Sequence, residues 1–457
     1  MHSQLSGARV FKIVEPKSVD DVRGAFKLAQ SEEKSVCIAG GRHSMGGQPF
    51  ADQAVMLDIR RLSKVVGFDA QTGLIELESG MQWPQLLEFL QNNAGAGEKA
   101  WTFSQKQAGV DKVTIGGSLS ANIHGRGLTL PPFVGDIESF KLITARGELV
   151  ECSRSANPEL FRLAIGGYGL FGFVYTVTLR LVPRRKVQRI VEVRAVDGIM
   201  RAFADRVADG FAYGEFRFAT DERSADFLRR GVLTCYRPVA DDMPIAPTRR
   251  ELSDKDRAEL LFLAHTDKSE AFRRYSTFYQ ATSEQVYWSD EAQMSGYPEG
   301  YHRDIDRRMG ADIRATDGIA EIFVDRDGVE AFLNDVRTYA RLSSVNLIQA
   351  AVRLIEQDRE SFLPWARKPY ACVTLNVHIE HTSAGLIRAG DQFRRLIDLG
   401  LRHGGSYFLA YHRHALRRQV DACYPQFREF LLLKKKYDKE ELFQSDWYRH
   451  YKRMYNL

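Results

Sequence analysis

Through residues 9–182, short apolar runs alternate with polar stretches, and helical spacing is the exception. Residues 9–30 read as a strand, a turn at Pro16-Lys17-Ser18, and a helix. Ser18 caps that helix, Asp20 and Asp21 suit its positive end, and Val22, Phe26 and Leu28 supply its apolar face. Val36-Cys37-Ile38-Ala39 reads as a buried strand, and further strands are predicted at Ala54 to Asp58 and Gly73 to Glu78. Trp83 to Asn93 reads as a helix. Ile137 to Thr144, Leu149 to Glu151 and Phe173 to Val182 complete an α+β region that ends near Pro183-Arg184-Arg185.

The texture changes beyond that point. Gln188–Val193, Phe211–Phe218, Ile322–Val324, Leu347–Ile355 and Cys372–Ile379 read as strands, and Asp254–Ala264, Ser269–Phe278 and Gly328–Ala340 as helices. Several strands with long helices predict an antiparallel sheet covered by helices. Tyr407 to Tyr411 reads as a returning strand and Gln426 to Lys436 as a helix, with Lys434, Lys435 and Arg449–Arg453 on a solvated surface.

A chain of 457 residues calls for more than one core. Hydrophobic content of 44% and charged content of 27% are those of a globular protein. A net charge of +5 suits an anionic cofactor or substrate and does not call for nucleic acid. The five cysteines are scattered with no C-x-x-C, which argues against a disulfide framework and against a zinc site, so no metal is expected. No apolar run approaches the length of a membrane span, and the first residues carry no signal-peptide pattern, so a cytoplasmic setting is expected.

Three glycine clusters stand out: Gly40-Gly41-Arg42-His43-Ser44-Met45-Gly46-Gly47-Gln48, Gly116-Gly117-Ser118 leading to Asn122-Ile123-His124-Gly125, and Gly166 to Gly172. Together they imply backbone packed against something large, with main-chain N–H groups free to meet phosphate. The Gly-x-Gly-x-x-Gly opening of a helix with an acid about 20 residues on is absent, which argues against NAD.

In this order the clusters resemble the vanillyl-alcohol oxidase / p-cresol methylhydroxylase (PCMH-type) flavoproteins. Within them the chain resembles the aldonolactone and alditol oxidases and decaprenylphosphoryl-ribose oxidase. The resemblance spans roughly residues 1–184 and 405–457. It implies a two-subdomain FAD-binding domain over 1–184, a cap domain holding the substrate over 185–404, and a segment, 405–457, that returns to the first domain. It also implies FAD, joined covalently through His43 of Gly-Gly-Arg-His-Ser. The loop Ser104 to Lys112 has no Cys for a second bond.

By the same resemblance, Gly40, Gly41, Arg42, Ser44, Met45, Gly46 and Gln48 wrap the pyrophosphate. Gly116, Gly117, Ser118, Ser120, Asn122, His124 and Gly125 face the flavin, and Gly169, Gly172 and Val174 hold the adenine-ribose side. Ile123 lies near flavin C4a, where its bulk points to a dehydrogenase slow with O2. Arg353 resembles the Arg of a Glu-x-Arg strand, although Ala351 stands where the Glu would be. Asn376 and His378 share one face of a strand, His412 occupies a tail position, and Lys436 resembles a lysine that reaches flavin and substrate.

The expected reaction is oxidation of a carbinol in a sugar-, polyol- or lactone-like small molecule, hydride passing to flavin N5. His378 or His412 would be the base, Arg353 or Lys436 would stabilise the oxyanion, and O2 or another redox partner would take the electrons. Two alternatives are the oxidising subunit of a sugar epimerase pair and a non-enzymatic basic binding protein. Tyr287, Trp288 and Tyr301 could stack on a substrate ring.

Overall fold

The computed structural model describes residues 3–93, 100–296 and 300–457. Strands Lys12–Val14, Val55–Asp58 and Val36–Ala39 form a small parallel sheet with Val55–Asp58 in the middle. Helix Val19–Ser31 covers it and buries Val22, Ala25, Phe26 and Ala29; the Ser18 hydroxyl accepts from the Asp21 N–H, as the sequence predicts. A five-stranded antiparallel sheet follows, in the order Val65–Asp69, Leu74–Glu78, Phe173–Arg180, Ile137–Ile143, Leu149–Ser153. Helix Trp83–Asn92 lies where the sequence places it; Pro158–Ala164, another short helix, was not anticipated.

The second architecture is an eight-stranded antiparallel sheet. Its order is Val286–Trp288, Lys186–Ala195, Arg230–Pro238, Tyr213–Phe218, Leu347–Ile355, Tyr370–Glu380, Ala315–Val324, Ser406–Tyr407. Side chains alternate between its two faces. On one face Gly318 and Ile322 meet Phe393 and Gly400 of the 20-residue helix Ser383–Arg402. On the other, helices Asp254–Thr266 and Lys268–Ala281 stand over the sheet with a cavity beneath them.

The expected strand at Tyr407–Tyr411 is real only at Ser406–Tyr407, an edge strand; the remainder turns away to bond the first region. There the Met45 N–H donates to the Ala410 carbonyl, and the Gln48 amide and Trp447 indole N–H both donate to the Leu409 carbonyl. Val36 also pairs with Phe443 beside the parallel sheet. Among the described residues no helix is long and apolar enough to cross a membrane.

Candidate active site

One cavity of about 740 Å³ runs between the first region and the face of the large sheet opposite Ser383–Arg402. Its first wall is built from the glycine clusters. Gly40 to Met45, Gln48, Gly116, Gly117, Ser120, Gly169, Gly172 and Val174 all line it. Arg42 takes a left-handed conformation (φ +59°), anchored by a 2.6 Å ion pair to the buried Asp58. The N–H groups of Gly41, Arg42 and Ser44 donate to no other atom among the described residues. A left-handed residue within such a run makes a concavity for an anion. Gly169, at φ +73°, presents bare backbone to the cavity. This wall fits the pyrophosphate and rings of FAD.

The reason for two of the glycines differs from expectation. A Cβ on Gly40 would lie 2.2 Å from Thr114 Oγ1, and one on Gly41 would lie 2.2 Å from the Lys112 carbonyl oxygen. They are glycines because the first cluster packs on the second. The second cluster is not a donor loop either: it forms the helix Ile115–Ala121, capped by Thr114. The Gly116 N–H is spent on the Ser79 carbonyl and the Gly117 N–H on Thr114 Oγ1.

Five of the expected cofactor residues do not line the cavity. Gly46 packs beside Gln48 and Trp447. The Ser118 hydroxyl accepts from the Trp83 indole, and the Asn122 amide joins the Val134 N–H to Asp358. Gly125 lies against the backbone of Lys106. His124, 1% exposed, is enclosed by Trp365, Phe323 and Phe408, and its Nε2 lies 3.2 Å from Glu321. Ile123, just before it, does reach the cavity.

The opposite wall is the large sheet. Glu215 and Arg217, Gln349 and Arg353, and Thr374 and Asn376 line it from three strands. The antiparallel register sets Phe216 opposite Val352 and Arg217 opposite Ala351, which brings Glu215 to Arg353. Two nitrogens of Arg353 lie 3.1 Å from Glu215 Oε2, and Arg126 lies 3.7 Å from Oε1. The carboxylate that a Glu-x-Arg strand would carry at Ala351 is thus supplied by the neighbouring strand. Arg126 and Arg353 hold the Glu215 carboxyl down to about 2 against its burial.

Behind this pair lies Glu321, 2% exposed. Its Oε1 accepts from Thr374 Oγ1 and Cys372 Sγ, and His124 and Arg353 hold its carboxyl down to about 2 despite burial. Asn376 is 7% exposed, and its Oδ1 has no partner among the described residues. Glu215 and Glu321 were not singled out in the sequence. The signal was alternation: each lies on a strand face shared with an arginine or a histidine only after pairing.

Three expected catalytic residues lie elsewhere. His378 shares the strand face of Asn376 but sits beyond the cavity, its Nδ1 3.4 Å from the buried Asp317 and beside His265. His412 is stacked between Phe393 and Tyr407, and burial holds it neutral, well below the usual histidine range. Lys436 is exposed and pairs with Glu159 at 2.8 Å; the buried lysine of that helix is Lys434, expected on the surface but paired with Asp438. Helical phase explains the exchange, since Lys434 follows Phe427, Phe430 and Leu431 on the buried side. Of the aromatic candidates, Tyr287 lines the cavity while Trp288 packs under Arg184.

Residues 12–153 match the sequence family described as FAD binding domain. Over 187 residues the chain is 31% identical to an uncharacterized oxidoreductase of the fasciation locus of Rhodococcoides fascians, covering 39% of each. It is 29% identical to bovine L-gulonolactone oxidase over 174 residues, 38% of each chain. It is also 29% identical to rice cytokinin dehydrogenase 4 over 243 residues, 49% of this chain and 42% of that one. The chain thus matches about two fifths of the length of these curated relatives. The resemblance to FAD-binding oxidoreductases is borne out, and FAD is the cofactor its first region is built to hold.

Proposed function

From an FAD binding domain over residues 12–153, we propose that the chain oxidises a CH–OH group of a sugar-, polyol- or lactone-like small molecule. The observation that carries this reading is the pair of facing walls: a phosphate-fitting backbone wall on one side, and Glu215, Arg353 and Asn376 on the other. Bound FAD supplies a two-electron acceptor for the hydride of the carbinol carbon.

The sheet wall does the rest. Asn376 Oδ1, an unfilled acceptor, takes a hydrogen bond from a second substrate hydroxyl beside the reacting carbon. Arg353, fixed by Glu215, donates to a lone pair of the reacting oxygen and orients it for the transfer. Loss of hydride leaves a strongly acidic protonated carbonyl, so even a carboxylate held near 2 accepts its proton; Glu215 has that role. The base thus moves from the histidines expected in the sequence to a carboxylate. His43 lines the cofactor wall and is the anchor for a covalent bond to the flavin.

Anaerobic bleaching of the bound flavin by a panel of alditols and aldonolactones tests the reading. Glu215→Gln is expected to slow bleaching by about 100-fold or more while leaving flavin content unchanged. Unchanged bleaching in both Glu215→Gln and Arg353→Met would remove the sheet wall from the chemistry. Acid precipitation tests the anchor: yellow colour in the pellet that His43→Ala releases supports it, and colour in the wild-type supernatant overturns it.

A further inference from the structure

Most arginines around the cavity are already matched with carboxylates. Arg42 has Asp58, Arg126 and Arg353 share Glu215, and Arg249 has Glu251 and Glu291. Arg217 and Arg189 are different. Both line the cavity from the large sheet, and among the described residues neither has a carboxylate oxygen within 4.0 Å. Arg217 donates from Nη2 to Gln349 Oε1 at 2.5 Å and lies over the Tyr275 ring at 4.8 Å. Arg189 donates to Tyr236 Oη at 3.0 Å and Thr282 Oγ1 at 2.8 Å, and lies 4.4 Å over the Tyr287 ring.

Neutral oxygens and aromatic faces hold these two planes in position without cancelling their charge. A guanidinium has five N–H donors and never loses its proton. Removing such a charge from bulk water without a counter-ion is costly, so a fold that keeps two of them against one cavity leaves room for an anion. Among the described residues, Arg126 and the sheet arginines Arg189, Arg217 and Arg353 have near them only Glu215 and, behind it, Glu321, so this part of the cavity carries a surplus of two positive charges.

We propose that the oxidised small molecule carries an anionic group, carboxylate or phosphate, seated between Arg217 and Arg189 while its carbinol lies at Arg353 and Asn376. The proposal rests on the reading of the chain as a carbinol oxidoreductase. The shared chemistry is a planar or tetrahedral oxyanion met by guanidinium edges. The cofactor's own phosphates have a separate seat in the free N–H groups of Gly41, Arg42 and Ser44 on the opposite wall.

The test uses the flavin-loaded enzyme and matched substrates: a neutral polyol, the same chain ending in a carboxylate, and the same chain ending in a phosphate. Anaerobic bleaching is expected to be about 100-fold more efficient for one anionic member than for the neutral one, and which member wins identifies the anion. Arg217→Gln and Arg189→Gln are each expected to shrink that preference towards one, with Arg217→Lys retaining part of it. Equal bleaching by all three would overturn the proposal and leave the oxidoreductase reading standing. If no polyol bleaches the flavin, inorganic phosphate and acetate are titrated against the flavin spectrum. A change that Arg217→Gln abolishes would keep the anion seat while the carbinol reading fails; no change would sink both. Loss of flavin from the arginine variants would overturn the proposal by assigning these residues to the cofactor.

Discussion

The two walls of the cavity are made in opposite ways. The cofactor wall is local: six consecutive residues, Gly40 to Met45, line it from one loop, and two further short runs complete it. The sheet wall is non-local: Glu215, Glu321, Arg353 and Asn376 come from four strands and meet only when the register is set. A wall made from one loop tolerates change in its neighbours but not in its backbone. A wall made by register depends on each side chain and on its partner across the strand.

The sharpest way to break the comparison is at Gly41. A side chain there would start 2.2 Å from the Lys112 carbonyl, and that backbone cannot yield as a flexible side chain would. Gly41→Val is expected to cost about 2 kcal/mol of stability and most of the flavin, read as the visible-to-ultraviolet absorbance ratio after purification. A fully yellow variant would show that the loop closes in another way.

The next largest effect tests register. Glu215→Ala leaves Arg126 and Arg353 without their shared carboxylate, and flavin bleaching is expected to fall by about 100-fold or more with flavin content intact. Adding Ala351→Glu returns a carboxylate from the same strand as Arg353, and the double variant is expected to regain about tenfold. No recovery would mean that the exact strand of origin matters.

Smaller effects lie between the walls and behind them. Ile123, 3% exposed, lines the cavity close to the second glycine cluster. Ile123→Ala is expected to cost about 2 kcal/mol of stability and to speed reoxidation of the reduced flavin by O2, followed by stopped flow. An unchanged reoxidation rate would take Ile123 out of the path of oxygen.

Behind the sheet, burial lowers His412 well below its usual range and His414 and His450 to about 4, helped for the latter two by neighbouring arginines. All three are therefore neutral in the fold, whereas the unfolded chain protonates them near pH 6.5. The unfolded state binds more protons as pH falls through 6.5 towards 4, so stability is lost in that window. His412→Phe keeps the stack with Phe393 and Tyr407 and removes one proton site. Its Tm is expected to fall less than wild type between about pH 7.5 and pH 5. The smallest effect belongs to Lys436→Ala, which removes an exposed ion pair to Glu159 and should change stability by less than about 0.5 kcal/mol, with bleaching unaltered.

The same contrast decides what could be read in the sequence. The cofactor wall was legible because its signal is contiguous: Gly-Gly-Arg-His-Ser needs no tertiary knowledge to be noticed. Asn376 was also found, through alternation along its strand. His378 has the same parity, but nothing in that alternation shows where the cavity stops along the strand. Ala351 looked like a missing acid because the eye follows one strand; the acid was one register step away at Glu215. Helix Ser383–Arg402 escaped notice because Gly385, Gly390 and Gly400 dilute its apolar period. A Cβ at Gly400 would come 2.5 Å from Ile322, so there the glycine is what lets the helix lie close against the sheet.

The bonds from Leu409, Ala410 and Leu442 to the first region tie the Gly40–Gln48 loop and the strand before it to the end of the chain. Met45 and Gln48 hold their places through carbonyls of Ala410 and Leu409, and Val36 N–H donates to the Leu442 carbonyl. During synthesis the Gly40–Gln48 loop is made early, and the partners that hold it are made late. A chain cut before residue 409 would carry the whole glycine loop and none of the carbonyls that hold it in place.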